Sequence, residues 1–149
     1  MIRAQCIVHR DGKILMVRLK LAGETWWCLP GGTVELGESP EQAALRELEE
    51  ECCVQGRIIS QTSYQNYSDE DQTWTYEVDI GDQTPELGTD PEFEHTEQML
   101  VEMQWLRLFE IPERDRTFLW AAGLLGVPRF WEEVSGWGDD LSYPGSSGG

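Results

Sequence analysis

Three glutamates, Glu47, Glu50 and Glu51, stand at i, i+3 and i+4 in the run Ala44-Leu45-Arg46-Glu47-Leu48-Glu49-Glu50-Glu51-Cys52. With Glu47 set to zero on a helical wheel, Glu50 falls at about 300° and Glu51 at about 40°, so one face carries all three carboxylates. Ala44, Leu45, Leu48 and Cys52 fall beside them as an apolar stripe able to pack on a sheet. Like charges so spaced repel by a few tenths of a kcal/mol per pair on an exposed helix, roughly, and by more when buried. Either solvent screens them or a cation sits among them. Clustered carboxylate oxygens suit hard Mg²⁺ or Mn²⁺, and magnesium commonly completes its shell with water and phosphate oxygens. The alternative is a solvated face with Arg46 and Glu50 as an i, i+4 ion pair, and the spacing alone leaves both readings open.

The elements that must position these groups are legible nearby. Ser39-Pro40-Glu41-Gln42 is a helix start, with Ser as N-cap, Pro where no amide donor is needed and Gln closing a capping box, which predicts a helix over about 40–52. Residues 2–9 and 13–19 read as two strands around Arg10-Asp11-Gly12, and 25–32 (TWWCLPGG) as a short strand entering a tight loop. After the helix, 54–68 and 73–81 read as strands joined by Ser68-Asp69-Glu70-Asp71-Gln72, and 102–109 as a later strand. Residues 113–126 predict a second helix closed by Gly126 and Pro128, and 81–98, rich in Pro, Gly and acids, a mobile surface loop. This order indicates an α+β or layered α/β domain with a mixed sheet, spanning 1–134 and followed by a Gly/Ser-rich flexible tail, 135–149, on which Trp137 and Tyr143 could dock back.

Composition narrows the function classes. The 149-residue chain carries a formal charge of −17, from 28 acidic against 11 basic residues, which argues against gripping a nucleic-acid duplex or an anionic membrane. An anionic substrate would need cations to help it bind. With no long apolar run and no signal-like N-terminus, a cytoplasmic location is expected. Cys6, Cys28, Cys52 and Cys53 form no CxxC pair and read as reduced thiols, and with His9 and His95 the only histidines, structural zinc is not expected. An EF-hand is excluded, since Trp74 and Ile80 stand where that loop needs Gly and Glu.

The stretch Gly31 to Val54 resembles the signature of the Nudix hydrolases: Gly, five residues, Glu, seven residues, then Arg-Glu-apolar-x-Glu-Glu-x-Gly-apolar. Here Gly32, Glu38, Arg46, Glu47, Leu48, Glu50, Glu51 and Val54 meet that pattern, and Trp27-Cys28-Leu29-Pro30-Gly31 resembles the usual approach. Cys53 departs from it, standing where a glycine would cap the helix in a left-handed conformation, so strain or a different helix end is expected there.

The resemblance implies a mixed sheet sandwiched between helices and hydrolysis, by water attack at phosphorus, of a nucleoside diphosphate linked to another group. It implies Mg²⁺, with Mn²⁺ as substitute, held by Glu47, Glu50 and Glu51 with help from the Gly31 carbonyl. The carboxylates would hold metal and accept a proton, and Arg46 would orient a glutamate. Glu38 would hold the loop or sit in the outer metal shell, or be only an N-terminal charge. Of the loop acids Glu92, Glu94 and Glu97, the resemblance favours Glu97 as a further site residue. Arg18 and Lys20 could meet substrate phosphate or be surface charges, and Trp26, Trp74 and Tyr76 could stack on a base or be core. Glu41 and Glu49 read as solvated. A homodimer is compatible with the pattern. The sequence cues that mark ADP-ribose or dinucleoside polyphosphate cleavage are not met at Asp69-Glu70-Asp71, so the nucleotide stays open. Two rivals are a nucleotide-sensing module that does not cleave, which would be free to lose its carboxylates, and a structural acidic domain, which would not explain the spacing.

Overall fold

The computed structural model describes residues 1–89 and 99–127. Its elements run β1 (Ile2–Ile7), β2 (His9–Arg10), β3 (Lys13–Leu21), β4 (Glu24–Cys28), β5 (Gly31–Thr33), α1 (Pro40–Cys52), β6 (Arg57–Ser68), β7 (Asp71–Asp79), β8 (Met99–Leu106) and α2 (Glu113–Ala121). A mixed sheet has the order β5-β1-β7-β6, and a second, antiparallel sheet joins β2, β3 and β4, with β8 on the other side of β3. The pair β1/β7 is parallel and the rest are antiparallel. A parallel neighbour needs a long crossover. The chain between β1 and β7 supplies it and carries α1.

The first two sequence strands do not form one hairpin. The Asp11-Gly12 turn does form, with φ of 54° and 76°, but it joins only the short β2 to β3. At Val8 the chain leaves the mixed sheet for the second one, and the bond from Leu15 N–H to the Val8 carbonyl stitches the two at that corner. The chain crosses back at Leu29-Pro30, where Cys6 N–H donates to the Pro30 carbonyl. Gly31 and Gly32, expected in a loop, are instead strand residues paired with Gln5 and Ala4. A Cβ on Gly31 would lie 2.5 Å from the Ala4 carbonyl oxygen, so close backbone approach, not turn geometry, requires glycine there.

Alternation along β1 and β3 divides the core in two. Ala4, Cys6, Leu15 and Val17 pack with Ala44, Leu48, Cys52, Tyr76 and Val78 under α1. Ile7, Ile14 and Met16 pack with Leu29, Leu106 and Leu119 under α2. The sheets thus lie between the two helices, as expected of a layered α+β domain. Helix α2 ends earlier than the sequence suggests: Gly123, at φ 87°, stops it, and Gly126 lies in a following 3₁₀ turn. A side chain at Gly123 would also meet the Thr62 carbonyl at 2.3 Å. Pro128, Glu92, Glu94, Glu97, Trp137, Tyr143 and the tail lie outside the described residues.

Candidate active site

Helix α1 is capped as its sequence requires: Ser39 Oγ accepts from Gln42 N–H at 3.1 Å, and Gln42 Oε1 accepts from Ser39 N–H at 2.9 Å. That start sets the helix phase, which turns Glu47 and Glu51 inward beside Leu48 and Cys52, with relative exposures of 0% and 1%. Glu50 stays partly exposed on the rim. Glu51 Oε1 accepts from the Gly31 N–H at 2.8 Å, so the peptide N–H of Gly31 is the group seen on the carboxylates. Gly32 lies directly against Glu47: a Cβ there would sit 2.5 Å from its Cδ and Oε1. Leu48 and Val54 of the same motif are core residues.

Arg46 ties the site together. Its Nε and Nη2 donate to Glu38 at 2.8 and 3.0 Å, Nη1 donates to Glu47 at 3.0 Å and Glu50 at 3.2 Å, and Nη2 also donates to the Thr33 carbonyl at 2.9 Å. Glu35 lies 3.8 Å away. The guanidinium holds the Glu38 carboxyl below its usual range, and Glu38 in turn pushes Arg46 further up. Glu38 also accepts from Glu35 N–H at 3.1 Å, closing the loop before the helix. Four carboxylates around one guanidinium leave a local excess of three negative charges, and Glu51 adds a fourth. Among the described residues no three Asp, Glu, His or Cys side chains converge as a ready metal cage, and Arg46 and the Gly31 N–H engage the carboxylates. The donors are nonetheless all oxygen, anionic and clustered at one helix face, which is the chemistry Mg²⁺ or Mn²⁺ takes.

The helix end is tied down as well. Cys53 takes the left-handed conformation, φ 57°, of the glycine it replaces, and its N–H donates to the Glu49 carbonyl. Glu86 N–H and Gly88 N–H donate to the carbonyls of Cys52 and Glu51. Residues 81–89, expected as mobile loop, are therefore fastened to α1, with Pro85 buried and Arg10 holding the Gly81 and Gln83 carbonyls. Glu41, expected to be solvated, accepts from the Tyr76 hydroxyl at 2.8 Å. Burial and that bond together push the Tyr76 hydroxyl upward.

On the opposite face lies a cleft of about 540 Å³ lined by β1, β4, β6, β7 and α2. Trp26 and Trp27 of β4, Tyr67 of β6 and Phe118 of α2 give it aromatic walls, and Arg3, Gln5 and Thr73 a polar floor. Asp115, buried, accepts from Trp27 N–H at 3.0 Å and Arg114 Nε at 3.2 Å, fixing α2 to β4. Burial, with Glu51 nearby, pushes the Cys28 thiol in this wall up to about 12. Of the aromatics considered for stacking, Trp26 is in the cleft, while Trp74 and Tyr76 pack under α1. Arg18 is not among the lining residues: it donates to Thr25 Oγ1 at 2.9 Å, pairs with Glu102 at 3.4 Å and lies over the Trp27 ring. Arg3, Tyr67, Asp115 and Phe118 were missed by sequence reasoning. A signal existed for Arg3 and Gln5, polar residues alternating with buried Ala4 and Cys6 along one strand.

A family model described as NUDIX domain matches residues 2–122. Over 59 residues, 38% of this chain and 34% of the relative, the chain is 42% identical to an RNA pyrophosphohydrolase of Gluconobacter oxydans. Over 46 residues, 31% of this chain and 30% of the relative, it is 44% identical to the phosphatase NudJ of Escherichia coli. The matched stretches thus span about a third of those relatives. Among solved structures, a MutT NUDIX hydrolase from Burkholderia pseudomallei superposes with a TM-score of 0.63 at 23% identity, covering 81% of this chain and 93% of that one. A NUDIX hydrolase from Nitrosomonas europaea gives 0.63 at 20% identity, covering 95% of each chain. At these identities the structural likeness concerns the fold.

Proposed function

Because the chain belongs to the NUDIX family, its family model spanning residues 2–122, we propose that it hydrolyses the pyrophosphate linkage of a nucleoside diphosphate joined to another group. The observation that carries the reading is the crowding of Glu47, Glu50 and Glu51 on one face of α1, with two of them buried and all three held by Arg46 or the Gly31 N–H. Burying like charges at such density costs stability, and a site that retains them is built for a cation.

Glu47, Glu50 and Glu51 would hold Mg²⁺, or Mn²⁺ in its place. When bound, the metal neutralises the pyrophosphate and lowers the pKa of water. Arg46 keeps Glu47 and Glu50 in position and does not itself meet phosphate, since its donors are spent on Glu38, Glu47, Glu50 and the Thr33 carbonyl. Gly31 N–H holds Glu51 from the strand side. A carboxylate of the set takes the proton of the attacking water, which is general-base work. The aromatic cleft would take the nucleoside end of the substrate, its wall residue Cys28 lying near enough to Glu51 to feel that carboxylate. A cytoplasmic location is consistent with this substrate class, and among the described residues no helix is long and apolar enough to cross a membrane.

The test is a panel of nucleotides with Mg²⁺, scored for released phosphate or pyrophosphate. Wild type should turn over at least one member, and Glu51→Gln should lose about 10²-fold or more. No turnover by wild type, or equal rates for Glu51→Gln, would overturn the reading.

A further inference from the structure

The last turn of α1 is the least self-sufficient part of the helix. It carries Glu49, Glu50 and Glu51 in succession and no basic residue, so three carboxylates crowd the negative end of the helix dipole. The last carbonyls of a helix also lack partners within it. Cys53 N–H closes the Glu49 carbonyl, but those of Glu51 and Cys52 are closed from outside, by Gly88 N–H at 2.8 Å and Glu86 N–H at 3.0 Å. A turn so loaded frays when its outside donors leave, and it holds two of the three carboxylates of the candidate site.

Those donors belong to residues 81–88, a segment with no helix or strand of its own that is pinned at several points. Arg10 Nη2 donates to the Gly81 and Gln83 carbonyls at 2.6 and 3.0 Å, and its guanidinium lies 5.0 Å from the centre of the Trp105 ring. Gln83 Oε1 accepts from Gln55 N–H at 2.9 Å and its Nε2 donates to the Gln55 carbonyl at 2.7 Å, so one side chain pairs with the backbone just past the helix. Pro85 is buried. Gly88 then sits flat on the helix end: a Cβ there would overlap the Glu50 carbonyl oxygen and lie 3.1 Å from its carbon and 3.2 Å from Cys53 Sγ. Gly88 is not at positive φ, so close approach to the helix, not conformation, demands glycine. We propose that Gly88 is a positioning residue of the α1 site: through it the segment 81–88 acts as a strap that locks the last turn and thereby sets where the Glu50 and Glu51 carboxylates lie. This rests on the reading of those carboxylates as cation ligands.

The strap's hold on the helix is read without metal, and its effect on the carboxylates with Mn²⁺. In EDTA, native-state amide exchange of Cys53 and residue 88 should speed up by about tenfold or more in Gly88→Ala, while amides 44–48 of the helix body stay within about twofold of wild type. Mn²⁺ titration followed by electron paramagnetic resonance should show Gly88→Ala binding about 10- to 100-fold more weakly than wild type, as when a group that orients a ligand is lost. Gln83→Ala unpins the strap without a clash and should move both readouts the same way by a smaller factor, which keeps the proposal testable should Gly88→Ala fail to fold. Ile111→Ala, in the core under α2, is the control: it should lower Tm and leave Mn²⁺ affinity within about twofold. The inference is overturned if Gly88→Ala, or Gln83→Ala where the former does not fold, binds Mn²⁺ as wild type does. It is overturned equally if Ile111→Ala weakens binding as much at a matched loss of stability. In both cases wild type binds, so the cation reading stands. Wild type that binds no Mn²⁺ would sink that reading and this one with it.

Discussion

Replacing Gly32 by alanine tests how closely the carboxylates of the candidate site are built into the sheet. The added methyl would lie 2.5 Å from Glu47 Cδ and Oε1 and 2.8 Å from Oε2, whereas ordinary contact begins near 3.4 Å, so about 0.9 Å of movement is required. Glu47 is fully buried and its Oε1 takes the Arg46 bond at 3.0 Å, so the carboxylate cannot swing into solvent without breaking that bond. Overpacking of this kind costs about 1–3 kcal/mol. Losing a hydrogen bond from the partly exposed Arg46 to the buried Glu47 adds about 1.5–3 kcal/mol. At roughly 3–5 °C per kcal/mol for a domain of this size, Gly32→Ala should lower Tm by about 10 °C or more and abolish most turnover. Thermal unfolding by circular dichroism reads the first effect and nucleotide hydrolysis the second. A double-mutant cycle isolates the cause: in a Glu47→Ala background the carboxylate is gone, and Gly32→Ala should then cost less than about 1 kcal/mol. Additive costs in the two backgrounds, or a Gly32→Ala protein that melts and turns over like wild type, would refute the reasoning.

Three further outcomes follow from the same geometry. Cys53→Gly removes a side chain from the left-handed helix cap, and denaturant unfolding should show a gain of about 0.5–1 kcal/mol after the entropy cost of glycine, with no loss of activity. The folded-state pKa of Glu38 is depressed by Arg46, so its stabilising effect is present above the unfolded carboxylate value near 4.3 and fades as pH falls through the lower folded value. Glu38→Gln should therefore melt below wild type at pH 7 and converge with it in acid; a constant gap down to the acid limb would contradict this. Native-state alkylation at pH 8 should label exposed Cys53 first and spare Cys28, whose thiol is pushed up to about 12, as well as buried Cys6 and Cys52. Mass spectrometry of the labelled peptides reads the order, and rapid labelling of Cys28 in the folded protein would contradict it.

The sequence by itself determined the features whose causes are local. Ser39 through Gln42 fix the start and phase of α1 because both halves of the capping box lie within four residues. That phase places Glu47, Glu50 and Glu51 on one face whatever the rest of the chain does. The Asp11-Gly12 turn is equally local, and so is the left-handed position that Cys53 fills. Tertiary structure decided what depends on distant partners. Gly31 and Gly32 read as loop until β1 pairs with them, and the need for glycine comes from Ala4 at one and Glu47 at the other. The Pro- and Gly-rich stretch after β7 reads as mobile until its N–H groups find the open carbonyls at the end of α1. Arg3 lines an aromatic cleft only because β7, about 70 residues on, pairs beside β1, and because β4 and α2 close over the face to which alternation sends it.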